Sequence, residues 1–229
     1  MTKRRERWVT LVSSVMALAG LCCLVGCPPP VVREVAVNYQ EIAVIQLESR
    51  FVPSLITLVS GRPARLHVTN AFDRENVTFN VDALDVHVEL KSAELTQVTL
   101  SAGQVSELHG RTFTCRETGN TGTFRIVEGT EGVQPPTVDG VVEISVVMTD
   151  DLAAPRTIVL RKAVPARLYV TKTRGEEEDD TFLIERWNIE EEIEVGKVTV
   201  IELTPTQTGR VTFMGITTPS SRGTIQVVD

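Results

Sequence analysis

Few side chains in this sequence are suited to chemistry. They are Cys22, Cys23, Cys27 and Cys115, the histidines His67, His87 and His109, and two acidic runs. Thiolate and imidazole are the donors that suit copper, so Cys115 with His67, His87 and His109 is one conceivable ligand set for copper or iron. Each member also has a simpler reading. His67 alternates away from the apolar side of its stretch, which predicts a surface position. His87 lies in Asp85-Val86-His87-Val88-Glu89, where three polar residues share one strand face. Such a face binds a divalent metal weakly at best and is more simply a wet surface. His109 precedes Gly110 and reads as a loop residue. Cys115 reads as a small buried hydrophobe. Glu176, Glu177, Glu178, Asp179 and Asp180 predict a solvated loop that offers a contact surface to a partner. This run and Glu190-Glu191-Glu192 lack the interleaved glycine or asparagine of a calcium loop. No Gly-x-Ser-x-Gly, phosphate loop or Cys-His pairing is legible, so an enzyme is not expected.

The first thirty residues narrow the cysteine count. Lys3, Arg4, Arg5 and Arg7 precede an apolar run from Trp8 to Gly26, the layout of an export signal. Leu24-Val25-Gly26-Cys27 resembles the lipobox of bacterial lipoproteins. The small residues admit the signal peptidase, and the thiol accepts a diacylglycerol. Pro28-Pro29-Pro30 then stiffens a tether. The expectation is cleavage before Cys27 and lipidation at Cys27, on the periplasmic side of the cell envelope, with the outer membrane preferred because Pro28 is not an aspartate. Cys115 is then the one cysteine left in the folded part. Loss of the signal takes four basic residues and one acid, so the charge moves from -7 to about -10. An acidic body of this kind is not expected to bind nucleic acid.

The strands must be positioned by a fold that the chain writes twice. Pro63-Ala64-Arg65-Leu66-His67-Val68-Thr69-Asn70 is echoed by Pro165-Ala166-Arg167-Leu168-Tyr169-Val170-Thr171-Lys172, with six of eight positions identical. Pro53 and Ile56-Thr57-Leu58 match Pro155 and Ile158-Val159-Leu160. Gly110-Arg111 answers Gly209-Arg210, and Gly122 to Val127 answers Gly223 to Val228. Leu66 and Val68, Val77, Phe79 and Val81, and Val198 to Leu203 carry the alternation of half-buried strands. The expected organisation is a signal peptide at 1–26, a lipidated proline-rich tether at 27–34, a first domain at 35–132, a linker at 133–140 and a second domain at 141–229. The expected fold class is all-β, two tandem Greek-key β-sandwiches.

The first repeat resembles the cupredoxin-like domains, especially the periplasmic type found beside iron-uptake lipoproteins. The carrying residues are Phe51-x-Pro53-x-x-Ile56-x-Leu58-x-x-Gly61-x-Pro63-x-x-Leu66-x-Val68-Thr69-Asn70, then Val77-x-Phe79-x-Val81, Gly110-x-x-Phe113-x-Cys115, and Gly122-x-x-x-Ile126-Val127. The resemblance implies a copper held by two histidines, a cysteine and often a methionine. Here Val77 stands at the first histidine position, and the loop Arg116 to Thr121 holds neither histidine nor methionine. In the second repeat Thr181, Phe182 and Leu183 stand on the ligand strand, and Met214, near the place of Cys115, reads as core filler. No cofactor is therefore expected, copper being the alternative. The expected role is a non-catalytic binding or scaffold module for another envelope protein.

Overall fold

The computed structural model describes residues 38–72, 74, 77–129, 137–176 and 179–229. Cys27 with its signal and tether, and Glu177 and Glu178 of the acidic run, lie outside the described residues. The described residues belong to one compact unit.

Alternating apolar residues build the strands in two matching series. The first comprises β1 (Gln40–Gln46), β2 (Phe51–Val52), β3 (Leu55–Val59), β4 (Ala64–Asn70), β5 (Val77–Val81), β6 (Val86–Leu90), β7 (Leu95–Leu100), β8 (Thr112–Thr114) and β9 (Thr121–Val127). The second comprises β10 (Thr137–Val138), β11 (Val141–Met148), β12 (Ala153–Ala154), β13 (Thr157–Arg161), β14 (Ala166–Lys172), β15 (Asp179–Ile184), β16 (Ile189–Glu194), β17 (Val198–Leu203), β18 (Gly209–Gly215) and β19 (Arg222–Val228). β10 falls in the stretch expected as linker and pairs with β11. The first sandwich stacks sheet β2-β1-β4-β7 on sheet β3-β9-β8-β5-β6. The second stacks β10-β11-β14-β17, with β12 on β11, on β13-β19-β18-β15-β16. β1 runs parallel to β4 and β11 to β14 in the same register, Ile42 opposite Leu66 and Ile144 opposite Leu168. The all-β fold of two tandem Greek-key sandwiches is the expected one.

Each sandwich closes on its own core. Phe51, Phe79, Phe113 and Phe124 meet edge-on or tilted in the first, with centroids 4.9 to 5.9 Å apart. Phe182 and Phe213, 5.5 Å apart, repeat the motif in the second. Glycines leave room for these rings: a Cβ on Gly122 would lie 2.1 Å from Phe113 Cζ, and one on Gly223 would lie 2.3 Å from Phe213 Cζ. Close packing leaves no slack for that methyl group. Gly122→Ala is expected to lower unfolding stability by about 2 kcal/mol in a denaturant titration.

A third apolar cluster joins the sandwiches. It contains Ala43, Ile45 and Val52 of the first repeat and Val147 and Tyr169 of the second. These residues stand on the outer faces of β1–β4 and β11–β14, which the two-residue alternation alone marks as wet. Polar bonds seal the contact. Arg50 donates to both oxygens of Glu143, at 2.9 and 3.0 Å, and to the Tyr169 hydroxyl at 2.7 Å. Tyr169 in turn donates to Glu143 at 2.8 Å, and Ser145 Oγ donates to the Val52 carbonyl. The backbone joins in as well, Arg174 N donating to Ala93 O. The Arg50 guanidinium holds the Glu143 carboxyl below the usual carboxylate range against the opposing pull of burial.

His67 corrects the expectation of a surface histidine. It is 1% exposed, because it shares the outer face of β4 that the second sandwich approaches. Neither of its ring nitrogens has a hydrogen-bond partner among the described residues. Burial pushes the imidazole below its ordinary value, Glu41 opposes, and Arg65 and Arg156 add to the fall. A histidine that charges more readily when unfolded binds more protons in the unfolded state. Stability is then lost as pH drops below the ordinary histidine value. Between about pH 7 and pH 5 the wild type is expected to lose stability relative to His67→Leu, read from unfolding midpoints.

Candidate functional site

The resemblance directs attention to one end of each sandwich, where the ligand strand meets the loop after the cysteine position. In the first sandwich the ligand strand is β5. Val77 is fully buried in the apolar core there. Cys115 follows β8, is fully buried, and is a free thiol. The loop beyond it folds back tightly: Gly119 N donates to Cys115 O and Cys115 N donates to Asn120 O, both at 2.9 Å. This turn brings Glu117 to β5. Its carboxylate accepts from Thr78 N at 2.8 Å, from Thr78 Oγ1 at 2.9 Å and from Cys115 Sγ at 3.4 Å. Burial pushes this carboxyl up, and the bonds from Thr78 and Cys115 outweigh it, so it lies below the usual range. The loop after Cys115 thus supplies a hard, already satisfied acceptor.

The three histidines are not brought to Cys115. His67 lies on the other sheet, under the second sandwich. His87 is exposed on β6, with Nδ1 2.8 Å from Asn80 Oδ1 and Nε2 3.4 Å from Asp85 Oδ1. Asp85 is not on the strand as expected. It closes a 3-10 turn over Asp82–Leu84 with φ of 53°. His109 is exposed after the short helix Ala102–Ser106, and its Nδ1 faces Ile126 O at 3.1 Å. Among the described residues no three His, Cys, Asp or Glu side chains are arranged as a metal-binding group.

The second sandwich holds a different construction at the same place. Phe182 pairs with Gly215 and Leu183 with Met214, as Asn80 pairs with Thr114. By that register Asp180 occupies the position of Val77, and Gly215 that of Cys115. Met214, expected in the core, is half-buried and stands outside the core cluster. Asp180 corrects the reading of the acidic run as a solvated loop. β15 begins at Asp179, and the Asp180 carboxylate is fully buried. It accepts from Thr181 N at 2.7 Å and Thr217 N at 2.8 Å, and from Thr218 Oγ1. Burial pushes Asp180 up, and the bonds from Thr218, Thr217 and Thr181 hold it below the usual range. Glu176 and Asp179 are exposed.

Opposite Asp180 stands Lys172, a residue not singled out from the sequence. Its side chain is fully buried, with Nζ 3.4 Å from Asp150 Oδ1 and 4.0 Å from Asp180 Oδ2. Two glycines make space for the acids. A Cβ on Gly215 would lie 2.2 Å from Asp180 Oδ2, and one on Gly175 would lie 2.2 Å from Asp150 Oδ2. Glu176 N donates to Asp150 Oδ2 at 2.7 Å. The signal for Lys172 was in the duplication, since it replaces the buried Asn70 of the first repeat. A cationic side chain between two carboxylates does not fit a copper ion, and neither does Val77 on the ligand strand of the first sandwich.

No family model matches the sequence, and no curated protein does. Solved structures similar to the chain include the metal-binding domain of the Cu(I)-exporting P-type ATPase of Streptococcus pneumoniae D39. It is 25% identical over 44% of this chain and 99% of that chain, with a TM-score of 0.38. The copper nitrite reductase of Nitrosomonas europaea is 10% identical over 84% of this chain and 92% of its own, with a TM-score of 0.34. A multicopper oxidase is 13% identical over 82% and 87%, with a TM-score of 0.33.

Removing the Lys172 charge leaves Asp180 and Asp150 facing each other without a cation. Lys172→Met is expected to cost about 3 kcal/mol at neutral pH. Asp180 binds its proton more weakly folded than unfolded, so its contribution is full at neutral pH and fades below the ordinary aspartate value of about 4. Asp180→Asn is expected to flatten the acid limb of a stability–pH curve measured by urea unfolding.

Proposed function

We propose that this chain is a lipid-anchored envelope protein that works as a non-catalytic binding or scaffold module for another envelope component. Its two sandwiches are read as cupredoxin-like units whose ligand ends have been rebuilt. The observation that carries this reading is the buried Lys172 between Asp150 and Asp180, at the end where the family holds a metal. A cation there repels a metal ion and requires the two acids for its own compensation. Glu117 closes the corresponding end of the first sandwich with bonds to Thr78 and Cys115. The export signal, the residues before Cys27 and the acidic mature charge support an extracytoplasmic place and argue against nucleic acid as partner.

The competing reading is a periplasmic copper or iron carrier built on Cys115 with some of His67, His87 and His109. Use of His67 requires it to leave a buried interface, and use of His109 requires it to leave the Ile126 backbone. Metal content separates the two. Protein beginning at residue 28 is exposed to Cu(II) or to Cu(I) and washed through a desalting column, and bound copper is measured by mass spectrometry. The expected content is well below one equivalent, unchanged by Cys115→Ser. A stoichiometric metal that is lost in Cys115→Ser overturns the module reading. The anchor has its own check: labelled palmitate is expected in the wild type and absent from Cys27→Ala.

A further inference from the structure

A cleft of about 560 Å³ opens between the two sandwiches, and an edge strand of each forms part of its wall. β13 is the edge of its sheet and, among the described residues, pairs only with β19. Arg156 O accepts from Thr224 N, and Lys162 N donates to Val228 O. Even-numbered residues of this strand therefore turn their backbone groups to β19, and Thr157 and Val159 turn theirs away. Both residues line the cleft. β3 is the equivalent edge in the first sandwich, with Leu55, Thr57 and Val59 turned away from β9 by the same alternation.

One residue shows what such an edge needs. Val59 N donates to Gln40 Oε1 at 2.6 Å, and Val59 O accepts from Gln40 Nε2 at 3.0 Å. The Gln40 amide thus stands in for a neighbouring strand at a single residue. The register places Val142 at the position of Gln40 in the second repeat, and valine has no group to do this. Among the described residues, no hydrogen bond to the outward backbone groups of Thr157 and Val159 is found. An unpaired edge of this kind is a template for an added strand.

The charge of the cleft indicates what would be added. Arg62, Arg65 and Arg156 line it, in a chain whose formal charge is -7. Two acids line it as well, but Glu143 is held by Arg50, and Glu41 faces Arg65 at 3.7 Å. The Arg65 guanidinium lies over the Tyr39 ring, 4.3 Å from its centroid, which fixes its plane. Its Nε is buried without a hydrogen-bond partner among the described residues.

We infer that this cleft docks an extended, acid-bearing peptide segment of a partner protein, paired as a strand to the free edge of β13 and facing β3 across the cleft. Main-chain bonds to Thr157 and Val159 would give affinity, and carboxylates against the arginines would give selectivity. The inference rests on the binding-module reading and supplies its partner class. The copper measurement stands whatever the peptide result, so the two can fail separately.

The test uses the full-length chain in detergent, immobilised and panned against a phage library of random short peptides. Enrichment of β-branched sequences bearing Asp or Glu is expected. A synthetic peptide of the enriched sequence is then the probe, titrated by fluorescence anisotropy. Arg62→Glu with Arg156→Glu is expected to weaken it about tenfold or more, and added salt to weaken it in the wild type. Thr157→Pro removes one outward N–H at the first residue of an edge strand, a place that tolerates proline, and is expected to weaken the peptide with the melting temperature retained. A probe N-methylated on alternate residues is expected to bind less in one of its two registers, which needs no change to the protein. The inference is overturned if nothing is enriched, if the enriched peptides have no acidic bias, or if neither the charge reversals nor backbone methylation moves the affinity.

Discussion

Two sheet faces that would ordinarily be wet are pressed together, and much of the remaining structure is a response to that contact. A sandwich buries one face of each sheet and leaves the other to solvent. Here the outer faces of β1–β4 and β11–β14 are covered by one another, so side chains at the outward positions lose water. Apolar ones, Ala43, Ile45 and Val147, gain from this. Polar ones need partners. Tyr169 finds Glu143 and Arg50, and Ser145 finds the Val52 carbonyl. His67, at the position of Tyr169 in the other repeat, finds none among the described residues, and burial pushes its imidazole below the ordinary value. The same contact sets the edges β3 and β13 on the walls of one cleft, so the interface and the cleft have a common origin.

The two positions at which the eight-residue echo differs are both consequential. His67 against Tyr169 decides how the interface is satisfied. Asn70 against Lys172 decides what the end of each sandwich contains. Asn70 is uncharged, and its side chain serves the local turn by donating to Arg74 O and accepting from Phe72 N. Lys172 brings a charge into the same buried place, and it is tolerated because Asp150 and Asp180 are there and Gly175 and Gly215 leave them room. Removal of any one of these leaves the others uncompensated or crowded, so the cluster behaves as a unit.

Strand identity was legible from local alternation, because a period of two is written in neighbouring residues. β4, β5 and β17 fall where Leu66 and Val68, Val77 to Val81 and Val198 to Leu203 place them. The duplication was legible for the same reason, as a local pattern met twice. Burial of the outer faces was not, since alternation says which residues share a face and nothing of what covers it. His67 was misplaced on that account. Asp180 was misplaced for a related reason. Five consecutive acids have the composition of a solvated loop, yet a strand begins at Asp179, and beside the adjacent Thr181 N the groups that satisfy Asp180 come from Thr217 and Thr218 on a distant loop. Long-range partners of this kind leave no mark in the run itself.

The ionic cluster also bears on how two repeats of the same fold keep apart. Tandem domains of similar sequence can exchange strands during folding, because the apolar pattern does not distinguish native from exchanged pairings. Leu66 and Val68 would fit where Leu168 and Val170 sit. The polar residues would not. A β14 placed in the first sandwich would carry Lys172 to an end where Val77 replaces Asp180, so that of its two acids only the counterpart of Asp150, Glu48, is present. A β4 placed in the second would leave Asp180 and Asp150 without their cation. Buried ion pairs are weak sources of net stability, since desolvation offsets most of the attraction. Their energetic weight falls on the mispaired states, where one partner is buried alone. Lys172, Asp150 and Asp180 therefore contribute less to the net stability of the second sandwich than to the difference between native and exchanged pairings.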